Sequence, residues 1–400
     1  MRIGMMADTY KPYLSGVTNY IELSKKFLEQ AGHDVFVFTF GDDRVEDDEV
    51  NIIRSPGFPV LEEGVYVSVR YSRDIQKLLH TMDVLHVHHP FISGQLAIRY
   101  TKGRGIPIIF TNHTRYDLYA KTYLPVVPIE ISETFLKAYL PSFCRSIDRV
   151  IAPSPGLRDV LVRMGVDAEI HVVPNGVDMS RVQDNPDPIE RSRLGLSEED
   201  VVLIFLGRLA QEKNLIFLLR AFAGVAESID RVKLVLVGEG PDRDNLVDRV
   251  RHMKLEDRVI FTGRVAYEDV PAYLHMSDAF VTASVTEVHP LSVIEAMGAG
   301  LPVLGIVSPG VGDTIEDGVT GFLANHEDLP AFTAKMVILV SDDERRNAMG
   351  VQAKKTSALY DIRRTTKLME EQYIYVAQNK VPEKRSLRAR LLRTFDRWTG

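Results

Sequence analysis

The chain has 400 residues, of which 45% are hydrophobic and 26% charged, and its net charge at pH 7 is −7. This is enough apolar material for two folded domains, so the composition excludes extensive disorder and fibrous repeats. The acidic balance argues against a dedicated nucleic-acid binder. The single cysteine, Cys144, can form neither an internal disulfide nor a cysteine-based zinc site, and is typical of a reducing compartment.

No apolar leader precedes the first strand-like run, and no stretch approaches the ~18 consecutive apolar residues of a membrane span. We therefore expect a cytoplasmic protein that is soluble or lies on the inner face of the cell membrane.

Short apolar runs alternate with amphipathic helical patterns in the first half of the chain. The pattern predicts a helix at 17–30, which Gly32 ends, and strands at 2–7, 33–40, 84–87, 106–111, 150–153 and 170–173. Alternation of this kind indicates a parallel sheet covered by helices. Residues 1–185 are accordingly predicted to form an N-terminal Rossmann-like domain.

A polar segment with two prolines, residues 186–200, is predicted to link this domain to a second one at 201–365. The second series contains helices at 214–227, 242–252, 270–276 and 292–298, and strands at 201–206, 233–237, 259–261, 279–281 and 303–306. A C-terminal helix at 366–382 and a tail at 383–400 follow. The predicted fold class is α/β, with two doubly wound Rossmann-like domains facing a central cleft at the carboxyl ends of their strands.

Two cations follow the first strand of the second domain. The segment GRLAQEKN, residues 207–214, places Arg208 and Lys213 between a strand end and a helix. A planar guanidinium and a mobile ammonium both suit phosphate oxygens. Solvated loop charges explain this segment equally well when it is taken alone.

Two glutamates eight residues apart flank a predicted helix start further along. Glu287 falls in the loop and Glu295 inside the helix, whose first residues are Leu291 and Ser292. Free N–H groups at a helix N-terminus suit a phosphate, and a carboxylate can accept paired hydrogen bonds from a ribose diol. Two helix-flanking carboxylates without a ligand are the alternative.

Other candidate positions lie in the first domain. Gly16 stands just before the first helix, where an anion can approach the backbone, although a simple turn glycine is the more common reason. His86 and His88 share one strand face, which we interpret as hydrogen bonding rather than zinc binding, because zinc requires further ligands. No Asp-x-Asp sequence marks a strand end, so we expect no metal ion.

Four segments in this order resemble the family-four retaining glycosyltransferases of the GT-B fold. They are GRLAQEKN, VGEGP, FTGRV and the segment from Glu287 to Glu295, where EAMGAGLPV begins. The N-terminal DTYKPYLSGV and PNGVD at 174–178 fit the same family, so the resemblance spans roughly residues 1–375.

The resemblance implies a nucleotide-sugar donor and assigns roles to individual residues. Arg208 and Lys213 would bind the donor diphosphate, and Glu287 the hydroxyls of the donor sugar. His113, in FTNHTRYDLY, matches a histidine near that sugar. The implied donor-binding set is completed by Glu295 at the ribose and by Gly16, Gly207, Arg264, Val265, Leu291 and Ser292. The family also implies retention of anomeric configuration, with the leaving phosphate oxygen taking the acceptor proton, and no metal or other cofactor.

The chain departs from the family pattern at two loops. His289-Pro290 stands where members often have Phe-Gly, and Pro309-Gly310 stands where Gly-Gly is frequent. Because proline has no backbone N–H, a phosphate contact there must come from Leu291 and Ser292. These departures concern the donor sugar more than the fold.

The segments VLHVHHPF and FTNHTRYDLYAKTYLP are similar to bacterial diacylglycerol glucosyltransferases and to lipid-linked mannosyltransferases in this family. Tyr116, Asp117 and Tyr123 are the acceptor-side candidates. The apolar stretch 121–140 suits an acyl chain or an interdomain core. The predicted reaction moves a hexose from UDP-glucose to a membrane lipid such as diacylglycerol. Alternatives are a GDP-mannose-dependent mannosyltransferase acting on a lipid or soluble acceptor, a sugar-nucleotide epimerase, and a non-catalytic partner subunit.

The tail 383–400 is basic in an otherwise acidic protein. It contains six cations and two carboxylates. The candidate membrane-contacting residues are the basic Arg388 and Arg393 and the apolar Phe395 and Trp398. A basic amphipathic helix suits an anionic membrane surface, and a tail that docks on the acidic body is the alternative.

Overall fold

The structure is a computed structural model that describes residues 1–13, 15–41, 47, 49–59, 66–118, 129–184 and 188–380. Its internal contacts divide the chain into two compact units. The N-terminal unit contains residues 1–153 and 158–173 and the described residues from 365 on, and the C-terminal unit contains 154–157 and 174–364.

The N-terminal unit is built on a parallel seven-stranded sheet in the order β3-β2-β1-β6-β7-β8-β9. Its strands are β1 (Arg2–Met6), β2 (Asp34–Gly41), β3 (Ile52–Pro56), β6 (Val84–Val87), β7 (Ile108–Thr111), β8 (Arg149–Ala152) and β9 (Ile170–Val172), and β4 (Phe58–Pro59) pairs antiparallel with β5 (Tyr66–Val67). The helices are α1 (Gly16–Gln30), α2 (Arg73–Leu79), α3 (Ile92–Thr101), α4 (Ile129–Cys144) and α5 (Pro155–Arg163), whose first residues belong to the other unit.

The C-terminal unit has a parallel six-stranded sheet in the order β12-β11-β10-β13-β14-β15. Its strands are β10 (Val201–Leu206), β11 (Val232–Val237), β12 (Val259–Gly263), β13 (Ala279–Val281), β14 (Val303–Ile306) and β15 (Gly321–Ala324). Its helices are α6 (Met179–Gln183), α7 (Leu215–Ala226), α8 (Arg243–His252), α9 (Val270–His275), α10 (Leu291–Gly298), α11 (Val311–Thr314), α12 (Leu329–Ser341) and α13 (Asp343–Ser357), with 3₁₀ turns at Arg191–Leu194, Gln211–Lys213, Tyr267–Asp269 and Ala358–Tyr360. The last helix, α14 (Ile362–Asn379), carries the chain back into the N-terminal unit.

Strand β10 shows why its sequence forms the centre of this sheet. Val201, Leu203 and Phe205 point into one hydrophobic core, and Val202 and Ile204 into the core on the other face. A strand buried on both faces needs an unbroken apolar run, and VVLIFL provides one. The N-terminal unit follows the same plan, and α14 buries Met369, Tyr373 and Val376 in its core.

The predicted fold class, α/β with two doubly wound Rossmann-like domains, is confirmed, and the predicted strands lie within one or two residues of those observed. The sequence pattern did not predict β3, β4, β5, β15, α2, α3, α5, α6, α11, α12 or α13. Helix α13 has a weak apolar pattern because it packs through small residues such as Gly350 and Ala353. The predicted linker was 186–200; its described residues, 188–200, contain a 3₁₀ turn and belong to the C-terminal unit.

Candidate active site

The order of strands in the C-terminal sheet reverses between β10 and β13, which lie side by side at its centre. The chain leaves β10 toward one edge and β13 toward the other, so their carboxyl ends frame a crevice where ligands of such sheets bind. The segments that follow these strands are 207–214 and 282–290. They carry the cations and the first glutamate that the sequence singled out.

Backbone packing brings the strand ends of this unit close together. The Gly207 N–H donates to the Val237 carbonyl and the Gly238 N–H to the Gly263 carbonyl, each at 3.0 Å. Gly238 has φ 137°, and a Cβ there would lie 2.0 Å from the Gly207 carbonyl oxygen. Only glycine fits this position, and it lets the Arg208 loop rest directly on the next strand.

Lys213 is oriented by the turn that precedes α7. The 3₁₀ turn Gln211–Lys213 ends at Asn214, which adopts a left-handed conformation with φ 54° that asparagine tolerates well. The Asn214 side-chain amide donates to the Ala283 carbonyl at 3.4 Å, linking this turn to the loop after β13. Arg208 is exposed at the end of β10.

The structure brings Lys213 and Glu287 together, although they are 74 residues apart in sequence. Lys213 Nζ lies 2.5 Å from Glu287 Oε1, and the Ser284 hydroxyl donates to the same oxygen at 3.2 Å. Burial by itself raises the pKa of Glu287. The Lys213 ammonium and the Ser284 hydroxyl together lower it by more, so the net shift is downward. Glu287 is therefore an ionised acceptor beside a cation.

The loop that carries Glu287 is held by two residues. Gly310 has φ 86°, and a Cβ there would lie 2.5 Å from the Val288 carbonyl carbon and 2.7 Å from the Glu287 carbonyl oxygen. The Asn175 side-chain amide donates to the His289 carbonyl at 3.2 Å. Asn175 belongs to PNGVD, a segment that resembles the family but for whose residues no role was predicted. In the structure, its hydrogen bond fixes the loop that carries Glu287.

The predicted helix N-terminus is present at α10. Pro290 occupies the capping position and makes no side-chain cap, and Leu291 and Ser292 are the first two helical residues. Their backbone N–H groups have no hydrogen-bond acceptor among the residues the structure describes. This end of α10 can therefore bind an anion.

Glu295 lies on α10 but is already engaged. Its side chain is 4% exposed, and its Oε1 is 2.5 Å from Arg181 Nη2. Burial raises the pKa of Glu295, while Arg181 and the Tyr267 hydroxyl lower it, and the net shift is upward. The sequence did not point to Arg181 or Tyr267, since only the fold shows that they meet Glu295.

Arg264 and Val265 follow β12. Arg264 is exposed, and Val265 packs against the core that contains Phe280 and Val293. They lead into the 3₁₀ turn Tyr267–Asp269.

The N-terminal unit has its own reversal of strand order, between β1 and β6. Gly16 is the first residue of α1, just after Ser15, whose hydroxyl caps the Thr18 N–H at 3.1 Å. Gly16 is exposed, and a Cβ there would meet no atom within 4 Å. No contact within the described residues therefore requires glycine at this position.

Histidines line the carboxyl ends of β6 and β7, where His86 and His88 are buried and His113 is half-buried. His86 bonds to the Tyr373 and Thr111 hydroxyls at 2.7 Å each, and His88 Nδ1 lies 3.0 Å from His113 Nε2. The His86 and His88 rings face the same side, with centroids 4.1 Å apart. Burial lowers the pKa of His86 to about 3 and holds those of His88 and His113 well below the usual range. The cluster is neutral at pH 7.

The neutral His86 makes stability depend on pH. Below pH 6.5 the unfolded chain binds a proton at this histidine, whereas the folded chain does not until about pH 3. The free energy of unfolding therefore falls as the pH is lowered through this window, by about 1.4 kcal/mol per pH unit for one proton. His86→Gln is expected to reduce the slope of the unfolding free energy against pH by the contribution of about one proton. The measurement is denaturant unfolding between pH 7 and 5. An unchanged slope would contradict this assignment.

The acceptor-side candidates lie near an aromatic stack. Tyr116 is buried against Phe91, with ring centroids 5.5 Å apart, and Asp117 pairs with Arg115 at 2.7 Å. Tyr139 stacks on Phe91 at 5.6 Å and on Phe135 at 5.5 Å. Tyr123 and the tail residues Arg388, Arg393, Phe395 and Trp398 lie outside the described residues.

Metal binding and membrane insertion each require a recognisable arrangement of side chains. Within the described residues, no three or more His, Cys, Asp and Glu side chains form a group suited to a metal ion. Among the helices of the described part of the chain, none is both long and apolar enough to span a bilayer.

Comparisons with known proteins bear on the class that this fold and site define. The model described as Glycosyltransferase Family 4 matches residues 14–181, and that described as Glycosyl transferases group 1 matches 187–356. Anabaena Alr3699/HepE, solved in complex with UDP and glucose, has a TM-score of 0.75 at 20% identity, over 92% of this chain and 98% of its own. This likeness shows the GT-B fold.

Two relatives with the same name are similar to this chain over most of its length. The Alpha-monoglucosyldiacylglycerol synthase of Streptococcus pneumoniae is 32% identical over 333 residues, covering 81% of this chain and 75% of its own. The protein of the same name from Acholeplasma laidlawii is 28% identical over 342 residues, covering 81% and 85%. The chain belongs to the family-four glycosyltransferases of the GT-B fold, and it is a glycosyltransferase.

Proposed function

We propose that this enzyme transfers glucose from UDP-glucose to diacylglycerol or a related membrane lipid, with retention of anomeric configuration. The observation that carries the transfer chemistry is the Lys213–Glu287 pair at 2.5 Å, located where β10 and β13 end. The sequence similarity to two proteins named as monoglucosyldiacylglycerol synthases supports glucose as the transferred sugar and diacylglycerol as the acceptor.

On the donor side, the charges and the free N–H groups favour a nucleoside diphosphate. Arg208 and Lys213 would bind the diphosphate oxygens, together with the free N–H groups at the start of α10. Glu287, kept ionised by Lys213, would accept hydrogen bonds from the sugar hydroxyls.

The proposed step breaks the bond between the anomeric carbon and the diphosphate oxygen. The acceptor hydroxyl oxygen forms its bond to that carbon on the same face, and its proton passes to the leaving phosphate oxygen. Lys213 and Arg208 would stabilise the charge that grows on the diphosphate. Because these side chains supply the positive charge, the proposal includes no metal ion.

On the acceptor side, the aromatic stack supports a lipid. Phe135 is 47% exposed and Leu118 50% exposed. The Tyr139 hydroxyl donates to the Pro90 carbonyl and accepts from the Gln95 amide, both at 2.7 Å, so its polar end is satisfied. The exposed Phe135 ring on this stack offers carbon surface suited to an acyl chain.

Phe135→Ser is expected to raise the diacylglycerol concentration needed for half-maximal rate by about fivefold. This factor corresponds to about 1 kcal/mol of binding free energy. That is the loss expected when an acyl chain no longer buries apolar surface against one half-exposed aromatic ring. The KM for UDP-glucose should not change. The measurement is glucolipid formation on vesicles of increasing diacylglycerol content.

Val351→Ser serves as the matched control, because Val351 is 67% exposed in the C-terminal unit. Equal effects of the two substitutions would contradict an acyl contact at Phe135.

The same vesicles test the basic tail 383–400. We propose that this tail binds anionic vesicles and that salt weakens the binding.

A further inference from the structure

The ion pair between Arg181 and Glu295 is fixed on three sides. Arg181 Nη2 lies 2.5 Å from Glu295 Oε1, and Nη1 donates to the Tyr267 carbonyl at 2.5 Å. The guanidinium carbon lies 3.7 Å from the centroid of the Tyr267 ring. The guanidinium therefore has one orientation, and it holds the carboxylate in one place.

The helix that carries Arg181 is itself anchored on α10. Met179 and Val182 on α6 form a buried cluster with Ile294, next to Glu295. Gly298 lies at this contact, where a Cβ would lie 2.9 Å from Met179 Sδ and would require that side chain to shift. His275 bonds to the Val182 carbonyl at 2.7 Å and fastens the end of α6. Arg181 thus reaches Glu295 from a rigid support.

The pair is not optimised for stability alone. Arg181 Nε is buried and has no hydrogen-bond partner among the described residues. A buried donor left unsatisfied costs about 1–3 kcal/mol. A purely structural contact at this place would be better served by apolar side chains, since replacing a buried ion pair in that way is often neutral or stabilising. The arrangement is better explained by a carboxylate that must be kept in position.

We propose that Arg181 is a positioning residue, which holds the Glu295 carboxylate where it accepts hydrogen bonds from the ribose hydroxyls of the donor. This rests on the proposed function and on the ribose-binding role that the family resemblance implies for Glu295. Arg181 also ties α10 to the turn Tyr267–Asp269, just after Arg264 and Val265. Through Arg181, the residues proposed for the ribose are joined to those proposed for the nucleotide.

The test compares UDP-glucose with its 2′,3′-dideoxyribose analogue. For the unmodified enzyme, the analogue is expected to raise the donor KM about tenfold, the equivalent of about 1.4 kcal/mol of lost hydrogen bonding. In Arg181→Met, the KM for UDP-glucose itself should rise about tenfold while kcat stays within about threefold. The analogue should then cost less than a further twofold. Arg181→Lys should restore part of the discrimination.

Arg193→Met is the matched control, since Arg193 is 73% exposed in the same unit, and it should keep the full tenfold discrimination. If Arg181→Met, or Arg181→Gln should the first variant fail to fold, still discriminates tenfold, Arg181 does not act through Glu295 and the inference is wrong. The proposed function fails separately if the unmodified enzyme does not use UDP-glucose or does not discriminate.

Discussion

Replacing Lys213 with methionine is expected to lower kcat/KM for glycosyl transfer by about 10²–10³-fold, the range found when one preorganised charge-stabilising group is lost. Methionine keeps the length of the side chain and removes the charge that faces Glu287 at 2.5 Å. It also removes the cation proposed to stabilise the leaving diphosphate. The measurement is initial-rate kinetics with UDP-glucose and diacylglycerol vesicles.

Lys355→Met is the control for this substitution, because Lys355 is an exposed residue on α13 of the same unit. It should leave kcat/KM unchanged. A Lys213→Met enzyme that folds and retains more than about a tenth of the activity would contradict the proposed charge stabilisation.

Glu287→Gln is expected to cost about 10²-fold in kcat/KM. The amide keeps the shape of the side chain but loses the charge that pairs with Lys213 and one acceptor oxygen for the sugar hydroxyls. Because the two side chains act as a unit, the double variant Lys213→Met with Glu287→Gln should lose much less than the product of the single losses.

Glu256→Gln, at an exposed position between α8 and β12, is the corresponding control and should behave like the unmodified enzyme. If the double variant loses the full product of the single effects, Lys213 and Glu287 act independently. The pair would then not be the unit that the geometry indicates.

The sheet architecture was predictable because its strands are uninterrupted apolar runs. VVLIFL at 201–206 has the length and the unbroken apolar character of a strand buried on both faces, and Gly207 marks where the chain turns. Helix α13 was not predictable in the same way. Its buried face mixes Arg346 and Met349 with the small residues Gly350, Ala353 and Ser357, so the apolar periodicity is weak.

The candidate site was predictable as a set of segments but not as a set of contacts. The order of motifs pointed to Lys213, Glu287 and Glu295, and strand ends in a doubly wound sheet meet at one edge. The partners of these residues depend on the fold. Asn175 and Arg181 precede the second sheet in sequence, and only packing brings them to the His289 carbonyl and to Glu295.

The most direct test of the central claim is release of nucleoside diphosphate from a panel of sugar nucleotides, with and without anionic vesicles that contain diacylglycerol. We predict release from UDP-glucose that rises sharply when diacylglycerol is present, and little release from GDP-mannose. Release from UDP-glucose at the same rate with and without diacylglycerol, or release from GDP-mannose alone, would contradict the proposed reaction.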